Sequence, residues 1–271
     1  MKIAFVWPFE KAESIVENWR DGLRAALEIL GTEHEVVWFL GQSLPTAEDN
    51  FQALLLWDDS NSIHLPRLRA LGGRVGICLT TSPHNTENLR LADVVFCESQ
   101  TVYDQVRRHG LRAVKAFGTD SDFFSPDPKA TKDQPYFYPA TFSPWKRQSA
   151  IAHLGRNLLC VGTIQPDGML EHTACVEAGV EVKVGYFPVE EIRDLYRRTR
   201  DVSIPAIHGS ERTVLEAMSM DIFPRVNPQN DKTYSLVAEY LGSGIRSPRQ
   251  FVLSRYTARH YADALEKGLR G

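Results

Sequence analysis

The sequence lacks long apolar runs and has few cysteines. No stretch approaches the roughly 20 consecutive apolar residues that a membrane-spanning helix needs, which excludes integral membrane contact. The four cysteines, Cys78, Cys97, Cys160 and Cys175, are spaced too widely to match a metal-ligand pattern. Three of them lie in apolar, strand-like runs. We therefore expect reduced, buried thiols in a cytoplasmic protein, and no metal site.

The sequence also lacks a strong charge of either sign. It has 31 Lys and Arg against 34 Asp and Glu, a formal net charge of −3, which gives no global attraction to nucleic acid or an anionic membrane. Two local basic runs, Arg107-Arg108-His109 and Arg197-Arg198-Thr199-Arg200, are typical of solvated helix faces. The alternative is that they contact the phosphates of a nucleic acid or lipid acceptor.

Short apolar runs alternate with amphipathic stretches along the chain. The first run, Met1 to Pro8, ends at a proline and predicts a buried strand rather than a secretory signal. Strands without polar alternation, separated by helices, are typical of parallel sheets covered on both faces. The sequence predicts strands at residues 3–6, 35–39, 53–57, 75–79, 94–97, 136–140, 158–161, 182–185 and 202–205, and helices at 15–30, 102–109 and 254–269. A polar stretch, residues 129–135, interrupts the alternation and predicts a linker between two similar domains.

The most informative segment is His208-Gly-Ser-Glu-Arg-Thr-Val-Leu-Glu216-Ala-Met-Ser219, in which a short polar loop runs into a predicted helix. A helix N-terminus exposes unpaired N–H groups and the positive end of a dipole, which suit a diphosphate. Glu216, on the second turn, can accept hydrogen bonds from ribose hydroxyls; the alternative is a structural role for its carboxylate. The order of loop, helix and acid predicts a sugar-nucleotide site.

This segment resembles the donor-binding motif of retaining GT-B glycosyltransferases of family four, in which a Glu-Gly-Phe-Gly loop precedes Leu-Glu-Ala-Met-Ala. The chain keeps Leu215-Glu216-Ala217-Met218 and departs in the loop. Residues 92–126, with Gly118-Thr-Asp120, and residues 185–196 are similar to two further segments of that family. The resemblance implies an α/β fold of GT-B type: two Rossmann-like domains with parallel sheets that face an interdomain cleft. The expected parts are an acceptor-side domain at 1–128, a nucleotide-sugar domain at 129–250, and a C-terminal helix within 251–271 that crosses back to the first domain.

Lys146 is the candidate cation at the diphosphate. Ser143-Pro144 predicts a helix start with Ser143 as N-cap, which places Lys146 in the first turn. The resemblance implies that Lys146 neutralises the leaving diphosphate, whereas an isolated lysine is a solvated charge. Where the family has an arginine, this chain has Thr141. Arg147 and Arg212 are the candidate replacements, and the N–H groups of Thr213 and Val214 are expected at the diphosphate. The predicted donor-binding set is Thr141, Arg147, Gly162, Tyr186, Phe187, Pro188, Gly209, Ser210, Arg212, Thr213, Val214 and Glu216, with Tyr186-Phe187-Pro188 at the base.

His208 stands where the family motif has the glutamate that contacts the transferred sugar. A neutral imidazole can still bond a hydroxyl, and Glu211 is close enough in sequence to supply the carboxylate. The alternative is that His208 is only a loop residue.

The first half of the chain offers acceptor-side candidates. His84 follows a predicted strand, and loops at the carboxyl ends of parallel strands bind ligands. The family has a histidine at a similar place, facing donor sugar and acceptor; the alternative for His84 is a structural role. Phe9 and Glu10 follow the first strand, and Trp57 and Asp58 lie at the end of another, so they are expected on the same cleft. The family's glycine-rich first loop is absent. The catalytic candidates are His84, Lys146, His208 and Glu211.

The sequence thus predicts a glycosyltransferase that moves a sugar from a nucleotide diphosphate sugar, with a UDP-sugar favoured, to an acceptor hydroxyl with retention of configuration. No Ser-His-Asp triad or metal cluster is visible, so electrostatic stabilisation of the leaving group is expected to dominate catalysis without a metal or other cofactor. The acceptor stays open among a glycan, a lipid-linked sugar and modified DNA. Two alternatives remain: a viral-type enzyme that acts on hydroxymethylated bases in DNA, and a noncatalytic sugar-nucleotide-binding module.

Overall fold

The computed structural model describes residues 1–12, 15 and 20–271 and divides into two compact units. The first unit is Met1–Gly118 with Tyr256–Gly271, and the second is Thr119–Arg255. The stretch 129–135, expected as a linker, lies inside the second unit. The chain returns to the first unit at Tyr256 with its last helix. No helix in the described residues is both long and apolar enough to cross a membrane.

The first unit contains a six-stranded, all-parallel sheet in the order β2-β1-β3-β4-β5-β6. Two 3-10 helices, Ala47–Asp49 and Asp59–His64, lie on either side of β3 in the chain. The helix predicted over 15–30 begins in the structure at Gly22, and residues 13, 14 and 16–19 lie outside the described residues. The strands are β1 (Lys2–Trp7), β2 (Glu35–Leu40), β3 (Ala53–Trp57), β4 (Arg74–Leu79), β5 (Val94–Cys97) and β6 (Ala113–Lys115), and the helices are α1 (Gly22–Glu33), α2 (Leu65–Ala70), α3 (Thr86–Leu89), α4 (Gln100–Arg108) and α10 (Ala258–Arg270).

The second unit contains a five-stranded, all-parallel sheet in the order β11-β10-β7-β8-β9. A 3-10 segment, Gln148–Asn157, with a kink at Gly155, connects β7 to β8. The strands are β7 (Gln134–Pro139), β8 (Leu158–Gly162), β9 (Glu181–Val184), β10 (Thr199–Ile204) and β11 (Pro224–Val226), and the helices are α5 (Met169–Glu177), α6 (Val189–Arg198), α7 (Glu211–Ser219), α8 (Asp231–Gly242) and α9 (Pro248–Arg255).

Strand β3 shows why continuous apolar runs form these sheets. All five of its residues are buried, because successive side chains point to opposite faces and each face has its own core. Leu55 packs in a core with α1 and α10, whereas Leu54 and Leu56 pack in the core on the other face. Helix α10 contributes Tyr261, Leu265 and Leu269, which helical spacing places on one face.

The predicted strands and the thiol state are confirmed. Every strand predicted from the sequence is present, within two residues of its expected ends except for β10, which begins three residues earlier than expected, at Thr199. All four cysteines are buried and free. The short edge strands β6 and β11 were not predicted, because three residues carry too little pattern.

Candidate functional site

The predicted loop and helix of the motif are present at the carboxyl end of β10. Gly209 and Ser210 both have left-handed backbones, with φ of 71° and 74°, and α7 begins at the next residue. The left-handed backbone at residue 209 favours glycine, which has no Cβ. The buried amide of Asn230 donates to the carbonyls of Ala206 at 3.2 Å and Gly209 at 2.9 Å. Asn230 therefore fixes the loop that leads into α7.

The N-terminus of α7 has no side-chain cap. Ser210 is the N-cap residue, but its side chain makes no capping hydrogen bond. Its hydroxyl instead accepts a hydrogen bond of 2.9 Å from the Lys146 ammonium and lies 3.2 Å from the Tyr138 hydroxyl. A left-handed residue followed by a helical one turns successive N–H groups toward one side, which forms an anion-binding concavity. The positive end of α7 is therefore available to an anion.

The N–H of Val214, expected at the diphosphate, closes the first turn of α7. It donates to the Ser210 carbonyl at 3.2 Å. The first-turn N–H groups that precede it, those of Glu211, Arg212 and Thr213, have no acceptor one turn earlier within the helix. These three groups, rather than Val214, are the backbone donors that an anion would meet.

The helix predicted at Ser143 is wrong. Residues 143–146 form a turn in which the N–H of Lys146 donates to the Ser143 carbonyl at 2.9 Å, and Arg147 then adopts a left-handed backbone with φ of 51°. A left-handed residue ends a right-handed helix, so the 3-10 segment starts only at Gln148. The buried amide of Gln148 donates back to the carbonyls of Ala140 and Thr141. Lys146 is therefore presented by a turn and not by a helix N-terminus of its own.

Lys146 nevertheless meets the motif loop. Its ammonium donates to the His208 carbonyl at 3.3 Å as well as to the Ser210 hydroxyl. Burial lowers the pKa of Lys146; the carboxylate of Glu211 opposes this effect and the ammonium of Lys232 adds to it. The structure thus brings together Lys146, the loop 208–210 and the start of α7.

Lys232 is a candidate functional residue that the sequence analysis missed. Its ammonium lies 3.2 Å from the carboxylate of Glu211, and both side chains are at least nine-tenths buried. Helical spacing could have indicated that Lys232 is buried, because it shares one face of α8 with Leu236 and Tyr240. Glu211, expected to contact the transferred sugar, is held in this ion pair at the first position of α7.

His208 is exposed, and its carbonyl, not its imidazole, contacts Lys146. Partial burial and the ammonium groups of Lys232 and Lys146 lower the pKa of His208, which outweighs the attraction of Glu211. The imidazole is therefore held in its neutral form at neutral pH, in which one ring nitrogen can accept a hydrogen bond and the other can donate one.

Glu216 has a protein partner. Its carboxylate accepts a hydrogen bond of 3.0 Å from the hydroxyl of Tyr196, which is fully buried between Phe124 and Phe137. Burial raises the pKa of Tyr196 well above its ordinary value, and the Glu216 charge raises it further. The carboxylate itself is half-buried, so Tyr196 orients a group that remains partly accessible.

The other donor-side candidates lie on neighbouring loops of the second unit. Thr141 follows β7, and its hydroxyl lies 3.1 Å from that of Thr163, just after β8. Gly162 closes β8 against the backbone of Ala140, where a side chain would collide, and its carbonyl accepts from the N–H of Gly185 at 3.1 Å. The loop 186–188 therefore lies beside the end of β8. Within this loop Tyr186 is 89% exposed, Phe187 is half-buried, and Pro188 is exposed at the start of α6, whereas Arg147 and Arg212 are half-buried beside the turn and at the start of α7.

The acceptor-side candidates lie at the carboxyl ends of strands in the first unit. Phe9 stacks on Trp7, which in turn meets Trp57 edge to face. Asp58 has a left-handed backbone with φ of 64°, and its carboxylate accepts from the Thr80 hydroxyl at 3.1 Å.

A backbone hydrogen bond connects the loop after β4 to the segment that follows β3. The N–H of His84 donates to the buried Asp59 at 2.6 Å. The side chains of Glu10 and His84 are exposed.

A separate set of possible metal ligands, Glu33, His34 and Glu266, lies in the first unit. Their ligand atoms lie within 4.8 Å of one another. Arg259 pairs with Glu33 at 3.1 Å and Arg270 pairs with Glu266 at 2.7 Å. The carboxylates are thus already partly neutralised by guanidinium groups, and none of the predicted site residues belongs to this set.

The two all-parallel sheets and their connecting helices define a GT-B fold, with one Rossmann-like domain per sheet. No protein-family model matches the chain, and no curated protein matches its sequence. Among solved structures, the chain is similar to trehalose-6-phosphate synthase, OtsA, with a TM-score of 0.68 and 8% identity, over 100% of this chain and 99% of that one.

Two further solved structures show the same likeness. A sucrose-phosphate synthase from Thermosynechococcus elongatus gives a TM-score of 0.59 at 12% identity, over 100% of this chain and 94% of that one. An alpha,alpha-trehalose-phosphate synthase (UDP-forming) from Burkholderia xenovorans, in complex with glucose-6-phosphate, gives 0.58 at 11% identity, over 81% of this chain and 72% of that one. At these identities the likeness shows the fold alone.

Proposed function

We propose that the protein is a retaining glycosyltransferase that moves a sugar from a nucleotide diphosphate sugar to an acceptor hydroxyl. The observation that carries the proposal is the meeting of Lys146 with the uncapped N-terminus of α7 at Ser210. Ligands of open parallel sheets bind at the carboxyl ends of the strands, which is where this meeting lies. The solved relatives with this fold carry the names of sugar-transferring synthases, which supports the same class of reaction.

The diphosphate is the group that this part of the site suits best. A helix N-terminus carries about half an elementary positive charge, and the Lys146 ammonium lies beside it. Lys232 adds a second ammonium, while Glu211 offsets one of the two, so the cluster keeps a net positive charge. We assign the diphosphate to the N–H groups of residues 211–213 and to Lys146.

The remaining donor contacts follow from the positions of the neighbouring groups. Glu216 lies farther along α7, where its carboxylate, oriented by Tyr196, accepts hydrogen bonds from the ribose hydroxyls. The exposed Tyr186 and its loop contact the base. His208, neutral at pH 7, bonds a hydroxyl of the transferred sugar.

In the reaction, the bond between the anomeric carbon and the diphosphate oxygen breaks, and its electron pair leaves with the nucleoside diphosphate. The acceptor oxygen forms the new bond on the same face of the sugar, and its proton passes to the departing diphosphate oxygen. Fixed charges placed where the leaving oxygen becomes negative are the main means of lowering such a barrier. Lys146 and α7 supply those charges, so the proposal includes no metal.

The name of one similar solved structure indicates which donors and acceptors to test first. The name of one solved relative includes the term UDP-forming, which makes UDP-sugars the first donors to test. Its glucose-6-phosphate makes sugar phosphates the first acceptors, beside glycans, lipid-linked sugars and hydroxymethylated DNA. Four buried, free thiols support a cytoplasmic location as part of the proposal.

A noncatalytic sugar-nucleotide-binding module is the second candidate. The buried ion pair between Glu211 and Lys232 favours this module. Glu211 is the carboxylate nearest in sequence to His208, where the family has its sugar-contacting glutamate, and it is already paired with the lysine. In that case the donor would bind at the same place without turnover.

The test is to incubate the protein with a panel of nucleotide sugars and these acceptors, and to measure nucleoside diphosphate release together with product mass. We expect turnover with at least one donor, and its loss in Lys146→Ala. Lys129→Ala, which removes an exposed lysine from the same unit, is the matched control and should keep wild-type turnover.

Binding separates the two candidates. Tight nucleotide binding that depends on Lys146, without turnover on any donor, would select the binding module. Nucleotide binding that is unchanged in Lys146→Ala would overturn both candidates, because both place the diphosphate at this ammonium.

A further inference from the structure

The first unit has a groove of about 370 Å³ along the free edge of its sheet. Strand β6 is the last strand of the sheet and lines the groove with Ala113 and Val114. Tyr103 of α4 lines one side and Gly268 of α10 lines the other. The two helices pack on opposite faces of the sheet, so the groove opens at the edge between them.

Three cations line this groove. Arg112 directly precedes β6, Lys115 is the last residue of β6, and Lys267 comes from α10. All three side chains are exposed, and none has an ion pair or side-chain hydrogen bond among the described residues. The described part of the chain places no acidic residue in the lining. Three like charges around one groove repel each other unless an anion lies between them.

The sequence around β6 adds to the positive charge near the groove. Residues 105–118 contain Arg107, Arg108, Arg112 and Lys115 and no acidic residue, and Asp104, directly before them, accepts a hydrogen bond from Gln100 and interacts electrostatically with Arg107. The neighbouring acid on α10, Glu266, pairs with Arg270 and His34. The basic run at the end of α4, which the proposed reaction does not use, therefore extends the positive groove.

Tyr103 adds a directed polar group. Its hydroxyl accepts a hydrogen bond of 3.2 Å from Arg107, whose guanidinium also lies over the ring, 5.9 Å from its centroid. A phenol that accepts one hydrogen bond can still donate its own proton. The groove therefore offers a hydroxyl donor between its cations.

The groove favours a compact anion over an acidic peptide strand. Lysines on an edge strand discourage pairing with other strands, and β6 is only three residues long, which allows few backbone hydrogen bonds to an added strand. A concave lining of apolar residues with a few charged groups is typical of small-molecule sites. We propose that this groove binds a small phosphorylated molecule through Arg112, Lys115, Lys267 and the Tyr103 hydroxyl. This inference is independent of the proposed transfer reaction.

The test uses inorganic tripolyphosphate as probe and isothermal titration calorimetry at about 0.15 M salt, where long-range charge effects are screened. The background is Lys146→Ala, which weakens the donor site. In this background we expect one binding event. Arg112→Gln, Lys115→Gln and Lys267→Gln together should weaken it about tenfold or more, because charge-assisted hydrogen bonds are lost.

The matched control removes the same charge elsewhere in the chain. Arg67→Gln, Arg90→Gln and Lys129→Gln together change three exposed cations outside the groove and should leave the affinity unchanged. Equal weakening by both triple variants would show a general charge effect and overturn the proposal. Absence of binding in the background, or binding that survives the groove variant, would also overturn it. Binding of a hepta-glutamate peptide without tripolyphosphate binding would indicate a peptide-docking edge instead.

Discussion

The ammonium of Lys146 donates a hydrogen bond of 2.9 Å to the hydroxyl of Ser210, the N-cap residue of α7. Ser210 has a left-handed backbone and makes no side-chain cap on α7, and its hydroxyl bonds Lys146 instead. This contact also places a cation next to backbone N–H groups that have no intrahelical acceptor. A lysine from one loop thus prepares the end of a helix from another loop for an anion.

As pH rises, nucleotide affinity should begin to fall at a lower pH than it would if Lys146 had the pKa of an ordinary lysine. Burial lowers the pKa of Lys146, so its ammonium is lost earlier as pH rises toward the usual range for lysine. In that pH interval the unfolded chain binds more protons at Lys146 than the folded chain does. The contribution of Lys146 to the free energy of unfolding therefore rises with pH. Loss of affinity would therefore not reflect titration of Lys146 destabilising the fold.

Calorimetric titration of UDP from about pH 7 to pH 10, repeated with Lys146→Arg, measures this effect, since guanidinium stays charged throughout. Titration of the ligand is common to both proteins, so the difference between the profiles reports Lys146. Identical profiles would contradict the assignment.

Ser210→Gly and Ser210→Ala should differ in stability. Both remove the hydroxyl that contacts Lys146, but only alanine carries a Cβ into the left-handed backbone at φ 74°. That conformation costs a non-glycine residue about 1–2 kcal/mol. Urea unfolding should therefore show the alanine variant less stable than the glycine variant by about that amount. Equal stability would mean that the loop relaxes to another conformation.

Removing one member of the buried Lys232–Glu211 pair should cost about 3–5 kcal/mol, because the remaining charge loses its ion-pair partner inside the protein. Lys232→Met and Glu211→Leu are the single changes, and Glu211→Leu with Lys232→Met is the double change. We expect the double variant to be more stable than Lys232→Met alone. Unfolding free energies that simply add would show that the two charges do not interact.

Glu216→Gln should weaken UDP binding about tenfold while leaving pyrophosphate binding unchanged. The carboxylate is assigned to the ribose, which pyrophosphate lacks, and hydrogen bonds to charged groups are worth about 1.5–3 kcal/mol. The Tyr196 hydroxyl can still donate to the amide oxygen of glutamine, so the fold should persist. If both ligands lose affinity equally, Glu216 acts on the site as a whole and not on the ribose.

The sequence predicted the strands and the loop-helix motif because these depend on local pattern. Leu54, Leu55 and Leu56 form a continuous apolar run that is buried on both faces, and Glu216 follows its loop within one helix. The turn at Lys146 could not be predicted in the same way. Ser143-Pro144 is a good helix start, but Arg147 takes a left-handed backbone and Gln148 bonds back to carbonyls before the turn.

Contacts between distant parts of the chain could not be predicted from local sequence patterns either. The Lys232 ammonium meets Glu211 from another helix, and Tyr196 reaches Glu216 from α6. No spacing rule connects residues whose pairing is set by how helices pack on the sheet. The motif therefore pointed to the candidate site, whereas the second ammonium of that candidate site and the partner of Glu216 required the structure.

The central claim is that a diphosphate binds between Lys146 and the start of α7, and a crystal structure with bound UDP tests it most directly. We expect phosphate oxygens within hydrogen-bonding distance of the Lys146 ammonium and of N–H groups at residues 211–213, with the ribose at Glu216. A nucleotide bound with its diphosphate away from both Lys146 and α7 would contradict the claim.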